Sequence, residues 1–498
     1  MQHKHRLDMM LYNITTFKHV LKSQYSGMLS VEIAAKNLEK ALQEQDIIPK
    51  DAASVFEMLE ACDNNPLCQK LLLGMPAGLR PLHYFDDIFE RLPRHVRRQV
   101  EEVPWPGRER FAKDPMAAMQ EAATGMTKVN EILADDQVWP NTSKSWCLRH
   151  KTHCLVNSRA AFDDDTQRTY CWAGIVCLAD TKMGMQEGYC GEHTKTMLVW
   201  ASERSRAKES VVVTECAPDW DPTPVRSALS ATHTMHHMTI CPSIWGWPIR
   251  RLRAFTVNTK NDRVQMSASF QDFCEEMGWF RAVMTPGTDL YVEDPIVVQA
   301  ELIDRCRARG VLEHEAAWEA SLSGAQCVYL QEWRRKLGTA SPWVADLDHT
   351  PETKRMSKPQ DARSMIPCLL RHGTVWRQMP EGSSLESRVM LKREFLSCQG
   401  IHCIPHAHGS DFTAPWAGML PKLSTHQVNM LTGNGVHLEV VSALWCWVLC
   451  CGQPVRGPQK PSRRCPVVEV VDVSDEEDVA MEDNARPLGK RLRATDHD

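Results

Sequence analysis

The sequence predicts an α/β fold: a Rossmann-like, doubly wound sheet carrying an inserted smaller domain. Three observations carry this expectation. Short apolar runs that end in acids alternate with helical stretches over residues 1–90. The alternation resumes near Tyr170, after a charged, Pro-bearing stretch (94–145) read as an insertion. A long irregular stretch, 262–410, then precedes a strongly apolar closing segment. The expected organisation is a catalytic domain over 1–261, a recognition domain over 262–410, a return segment over 411–452 and a disordered acidic tail over 453–498.

Within the first unit, Val31, Ala34, Ala35, Leu38 and Leu42 recur at helical spacing with a polar back. Gly27, just upstream, can turn a strand end into that helix. A second apolar run, Val55 to Cys62, ends at Asp63, and a third, Leu82 to Phe85, ends at Asp86 and Asp87. Ligands of such sheets sit beyond the carboxyl ends of the strands. There Gly27 permits close backbone approach, Asp63 can bind ribose hydroxyls, and Asp87 can reach an adenine amine. After the insertion come an apolar run from Tyr170 to Cys177, a helix over Glu192 to Ala207, and the β-rich Ser210 to Cys216.

The net charge of -5 hides an asymmetry. Glu469 to Asp483 carries eight acids and no base, so the rest of the chain is mildly basic, at about +3, a balance compatible with nucleic acid. Nineteen cysteines, an odd number, and a polar, basic Met1 to Asp8 point to reduced thiols in a cytosolic or nuclear protein. The apolar Val436 to Cys451 contains Glu439 and is too short to span a bilayer. It is expected to be a buried helix, and no membrane partner is expected.

Four further segments carry chemistry. Cys177 follows an apolar approach and enters a loop with Thr181, Gly184, Gly188 and Gly191. Glu215 closes VVVTE 38 residues later, Arg251 and Arg253 alternate in WGWPIRRLRAF, and Gly433-Asn434 precedes the closing apolar segment. In this order they resemble the DNA (cytosine-5) methyltransferase family, over roughly residues 17–92, 170–260 and 420–450. The divergent spelling is similar to methyltransferase-related proteins of dinoflagellate-type genomes. The resemblance implies S-adenosylmethionine as donor, held by Gly27, Asp63, Asp87, Gly433 and Asn434. It implies Cys177 as nucleophile, Glu215 on the pyrimidine ring, and Arg251 and Arg253 holding substrate and loop. The implied partner is duplex DNA with a flipped cytosine, contacted by Arg305, Arg307, Arg309 and the Arg334-Arg335-Lys336 run.

The spelling departs from the family at several points. Val176 stands where proline is usual, Thr181 for serine, Cys216 for asparagine, Ile249 for glutamine and Leu29 for glycine. Two alternatives therefore stay open: a catalytically inactive nucleic-acid binder on the same fold, and an RNA cytosine-5 methyltransferase. Two Cys/His groups, Cys147-His150-His153-Cys154 and Cys398-Cys403-His406-His408, lack paired C-x-x-C spacing, and adjacent His153 and Cys154 fit one tetrahedral ion poorly, so no metal is expected. The tail PVVEVVDVSDEED resembles a SUMO-interacting motif, which adds a strand to a partner's sheet. GKRLR (Gly489 to Arg493) is compatible with nuclear import.

Overall fold

The computed structural model describes residues 2–25, 27–50, 54–135, 138, 143–156, 166–175, 188–191, 193–207, 209–281, 286–291, 294–352, 365–371, 373–401, 417–455 and 470–472. Helix α1 (Gln2–Thr16) leads into β1 (Lys18–Gln24), α2 (Ser30–Glu44), β2 (Phe56–Cys62), α3 (Pro66–Leu73) and β3 (His83–Phe85). The 94–145 stretch holds α4 (Arg94–Glu102), α5 (Arg108–Lys113), α6 (Pro115–Ala134) and the start of a hairpin, β4 (Lys144–Cys147) and β5 (Thr152–Leu155). The winding resumes with β6 (Gln167–Gly174), α7 (His193–Ala207), β7 (Val211–Cys216) and α8 (Thr223–Leu229). It closes on a second hairpin, β8 (His233–Ile240) and β9 (Arg253–Lys260).

These strands build one sheet in which the order β3-β2-β1-β6-β7-β9-β8 forms the centre. All pairings from β3 to β7 are parallel, and β9 lies antiparallel between β7 and β8. This is the α/β, Rossmann-like, doubly wound sheet expected from the sequence. The chain winds outward from β1 through β3, then crosses back to β6 and winds the other way. The crevice between the carboxyl ends of β1 and β6 is therefore the switch point, where such sheets bind ligands.

Both faces of the sheet are covered, because alternate residues of the central strands are apolar on both sides. Leu21, Tyr170, Trp172, Val211 and Val213 face one core, while Cys62, Phe85, Cys171, Ala173 and Val212 face the other. The first core is closed by α2 and by the helix Leu438–Cys451, whose Trp445 packs on Phe56, Tyr170 and Trp172 with ring centroids 4.7–5.4 Å apart. That stretch is apolar because it is buried against the sheet on most of its surface. The second core is closed by α4, α6, α7 and α8.

Charge lies under the sheet as well as grease. Lys22, Glu60, Arg91, Glu203, Arg204 and Glu209 are all buried and interlinked, between β1, β2 and α7.

Residues 264–397 continue with β10 (Val264–Met266), α9 (Phe270–Met277), α10 (Pro295–Ala308) and α11 (Gly324–Leu337). An antiparallel sheet follows: β11 (Trp343–Asp346), β12 (Val375–Gln378) and β13 (Arg388–Val389). Leu302, Trp318, Trp333, Trp343 and Trp376 form a core of their own there. The chain then returns through the helices Thr425–Asn434 and Leu438–Cys451.

Within 453–498 the structure differs from plain disorder at two points. Strand β14 (Gly452–Pro454) pairs with β10, and β15 (Val470–Asp472) lies parallel to β8. The unpaired backbone groups of an edge strand attract β-prone segments, and here the Val-rich tail segment meets an edge of its own sheet.

Candidate functional site

The first wall of the switch-point crevice is the turn after β1. Tyr25, Gly27 and Leu29 all have positive φ, at 52°, 53° and 65°. Gly27 is suited to that backbone, whereas Leu29 holds a glycine-like conformation with its side chain 1% exposed, so burial of the leucine offsets a left-handed backbone. The Gly27 N–H donates to Asp63 Oδ2 at 2.9 Å, and the Asn65 N–H to Asp63 Oδ1 at 2.9 Å. Burial pushes the Asp63 carboxyl up, and these two donors pull it back. Each oxygen keeps further acceptor capacity for a ribose hydroxyl. Asp87, half-buried beyond β3, accepts from the Phe89 N–H at 2.9 Å and so shapes the following turn.

The second wall is the return segment. Gly433 and Asn434 are the last residues of the helix Thr425–Asn434, so the turn itself begins two residues later than the sequence pattern implies, at Gly435–His437. Ser30 Oγ donates to the Val436 carbonyl at 2.7 Å, seating this turn on the start of α2. A Cβ on Gly433 would stand 2.7 Å from the Arg371 backbone nitrogen, and one on Gly435 would overlap Met28. Arg251 is buried and donates from Nη2 to the carbonyls of Gly433, at 3.1 Å, and Gly435. Its contacts make it a clamp on the return segment.

Gly433→Ala is therefore expected to cost about 1–3 kcal/mol, since backbone rather than a mobile side chain must yield. A urea melt measures this, and titration with S-adenosylmethionine should show weaker binding. An unchanged midpoint and affinity would contradict this packing.

The third wall comes from β6 and β7, whose ends are in register at Gly174 and Glu215. Glu215 is 7% exposed and its Oε1 lies 3.0 Å from Arg253 Nε. Burial pushes its carboxyl above the ordinary range, while Arg253 and Arg251 pull it down. A Cβ on Gly174 would lie 3.7 Å from Glu215 Oε2 and 3.5 Å from the Tyr25 carbonyl, so the glycine keeps this floor open. Cys177, three positions beyond Gly174, lies outside the described residues, as do Thr181 and Gly184.

Gly27, Glu215 and Asn434 thus line one narrow cleft with Ser23, Tyr25, Met28, Trp172, Gly174 and Gly435. Asp63 adjoins it through Gly27, Gly433 and Arg251 brace it from behind, and Asp87 stands at the end of β3. Tyr25 and Trp172 were not anticipated. The signal available for Trp172 was its place two residues before a strand-ending glycine.

The basic residues singled out beyond residue 300 divide into two groups. Arg305 is tied to Glu301 and to the Met390 carbonyl, and Arg334 to Glu319 and Gln378. Arg307, Arg309, Arg335 and Lys336 are exposed.

Sheet order and site together define the class: an α/β protein with a Rossmann-like, doubly wound sheet and a cleft at its switch point. No protein-family model and no curated protein sequence matches the chain. Among solved structures, it is similar to a Dnmt2 methyltransferase of S. pombe at 11% identity and a TM-score of 0.42, over 86% of this chain and 97% of that one. It is also similar to a putative prophage DNA modification methyltransferase from E. coli (11%, 0.41, 86% and 98%). It is similar as well to an Entamoeba histolytica methyltransferase, EhMeth (9%, 0.40, 86% and 98%).

Proposed function

We propose that the protein transfers a methyl group from S-adenosylmethionine to carbon 5 of cytosine in DNA, through a covalent bond to Cys177. The observation that carries this reading is the meeting of Gly27, Gly174, Glu215 and Asn434 around one cleft, with Arg253 on Glu215 and Cys177 three residues past Gly174. The residues around the cleft fit the donor: bare backbone at Gly27, acids at the ends of β2 and β3, and the return segment closing the other side.

Carbon 5 of cytosine is too weak a nucleophile to take a methyl group unaided. The Cys177 thiolate adds to carbon 6 and makes carbon 5 electron-rich. Glu215 hydrogen-bonds ring nitrogen 3 and the exocyclic amine, drawing off the charge that develops there. Arg253 holds that carboxyl in place and adds positive potential. S-adenosylmethionine supplies the methyl group as a sulfonium. Loss of the carbon 5 proton then expels Cys177 and restores the ring. In duplex DNA the cytosine is first flipped out, at a cost of a few kcal/mol. Exposed Arg307, Arg309 and Arg335 are the residues assigned to phosphate contact.

The test is trapping on duplex DNA containing 5-fluorocytosine, in which fluorine blocks the last step. With S-adenosylmethionine, wild type is expected to form a denaturation-resistant adduct and Cys177→Ala none. Donor binding without any adduct would replace this reading with the inactive binder, and adducts formed on RNA alone would replace DNA as substrate.

A further inference from the structure

We propose a structural zinc site at the edge of the main sheet, formed by Cys147, His150 and Cys154 of the β4–β5 hairpin and His83 of β3. One ligand atom from each of the four lies within 4.8 Å of every other. His150 Nδ1 stands 3.5 Å from Cys147 Sγ and 3.3 Å from Cys154 Sγ. With zinc–sulfur bonds of about 2.3 Å and zinc–nitrogen bonds of about 2.0–2.1 Å, a tetrahedral ion separates nitrogen from sulfur by about 3.5–3.6 Å. The side chains are thus already grouped at the spacing of one coordination shell.

Strand alternation explains why these residues meet and their neighbours do not. Cys147 pairs with Thr152, and Ser145 with Cys154, so both sulfurs project from the same face of the hairpin. His153 takes the opposite face and packs on Trp146, with ring centroids 5.5 Å apart. Read along the chain, Cys147, His150, His153 and Cys154 fit an ion poorly. The fold substitutes His83, whose ring centroid lies 5.1 Å from that of His150.

Two further observations point to a ligand. His83 Nδ1 is buried and has no hydrogen-bond partner among the described residues, an arrangement that costs free energy unless something occupies it. The Tyr84 N–H donates to Cys147 Sγ at 3.3 Å, the kind of outer bond that steadies a metal-bound thiolate. Two thiolates and two neutral imidazoles balance a divalent charge. A Cys147–Cys154 disulfide would account for the sulfurs but not for two converging imidazoles.

The fold also gives the ion a task. Strand β4 joins β3 through the single residue pair Phe85 and Cys147, and β5 is mostly exposed. A two-stranded hairpin is marginal in water, and a metal linking both of its strands to β3 holds it in register.

The test uses the full-length chain, stripped of metal under reducing conditions and titrated with Co²⁺ as a spectroscopic probe. Wild type is expected to bind one equivalent with the visible bands of a tetrahedral ion and thiolate charge transfer, both erased by Zn²⁺. His83→Ala, His150→Ala and the double variant Cys147→Ser/Cys154→Ser should lose that spectrum, and His153→Ala should keep it. Hydrogen exchange over residues 143–156 should rise when zinc is chelated. His150 is exposed, so its variant should keep the wild-type circular dichroism even if the serine variant misfolds. The proposal fails if wild type gives no tetrahedral spectrum. It also fails if His150→Ala leaves the spectrum intact, if His153→Ala abolishes it, or if thiol counting finds Cys147 and Cys154 joined as a disulfide.

Discussion

Replacing Glu215 with glutamine is expected to slow methyl transfer by about 10²–10⁴-fold, the usual worth of a positioned acid or base, while S-adenosylmethionine binds as before. Glutamine keeps the size and both hydrogen-bonding ends of the side chain but cannot carry a proton to the ring. The donor's affinity should hold because the Gly27 N–H is bound to Asp63, whereas Glu215 is held by Arg253. A single-turnover assay with labelled donor separates the two quantities. Equal rates for wild type and variant would remove Glu215 from the chemistry.

The same residue makes the pH dependence testable. Burial raises the Glu215 carboxyl and Arg253 lowers it. If the protonated form acts on the ring, the rate falls as pH rises through a limb above the ordinary carboxylate range. Arg253→Met removes the lowering influence, so that limb should move to higher pH even as the maximum rate drops. A limb that stays in place would mean that Arg253 does not act through Glu215.

The parts of the fold legible in the sequence were those in which burial and pattern coincide. Tyr170–Gly174 and Val211–Cys216 read as strands because both of their faces are covered and they are therefore almost wholly apolar. Helix α2 reads as amphipathic from Val31, Ala34, Ala35, Leu38 and Leu42, but its polar back is largely covered too, with Glu32 and Glu39 buried. The β8–β9 hairpin was not legible: β8 reads HTMHHMTI, and its buried residues change face midway, Met235 facing one core and Met238 and Ile240 the other. Helix α6 is hidden in the charged, Pro-bearing stretch read as an insertion, although Asp114 and Pro115 mark its start as cap and first residue.

In the site, residues whose role depends on the backbone next to them were easier to place than those whose role depends on distant chain. Gly27 and Glu215 could be placed from strand ends alone. The clamp made by Arg251 could not, because its partners lie 182 and 184 residues away. For the same reason His83 could not be grouped with Cys147 before the sheet was known.

Strand β1 is the hardest case, and it leads to the second large effect: Lys22→Met is expected to destabilise the protein by about 3–5 kcal/mol, the cost of leaving a buried charge uncompensated. Lys22 lies in the middle of the sheet, fully buried, with its Nζ 3.3 Å from Glu209 Oε1. Glu209 also meets Arg204, Arg204 Nη2 lies 2.7 Å from Glu203, and Arg91 bridges Glu203 at 3.1 Å and Glu60 at 2.9 Å. Three cations thus face three carboxylates out of water. Methionine fills much of the lysine's volume but leaves the group with a net negative charge. Adding Glu209→Gln restores neutrality, so the double variant should lose less than the sum of the two single losses. Urea melts of the four proteins measure that coupling, and strict additivity would show that the ions are screened independently. Acid supplies a second check. Burial pushes the Glu203 carboxyl up, but Arg204 and Arg91 outweigh it and hold its pKa at about 2 against an ordinary 4.5. A depressed carboxyl contributes stability that is complete above its unfolded pKa and is lost as pH falls through the folded one. The network should therefore hold at neutral pH and give way between about 4.5 and about 2.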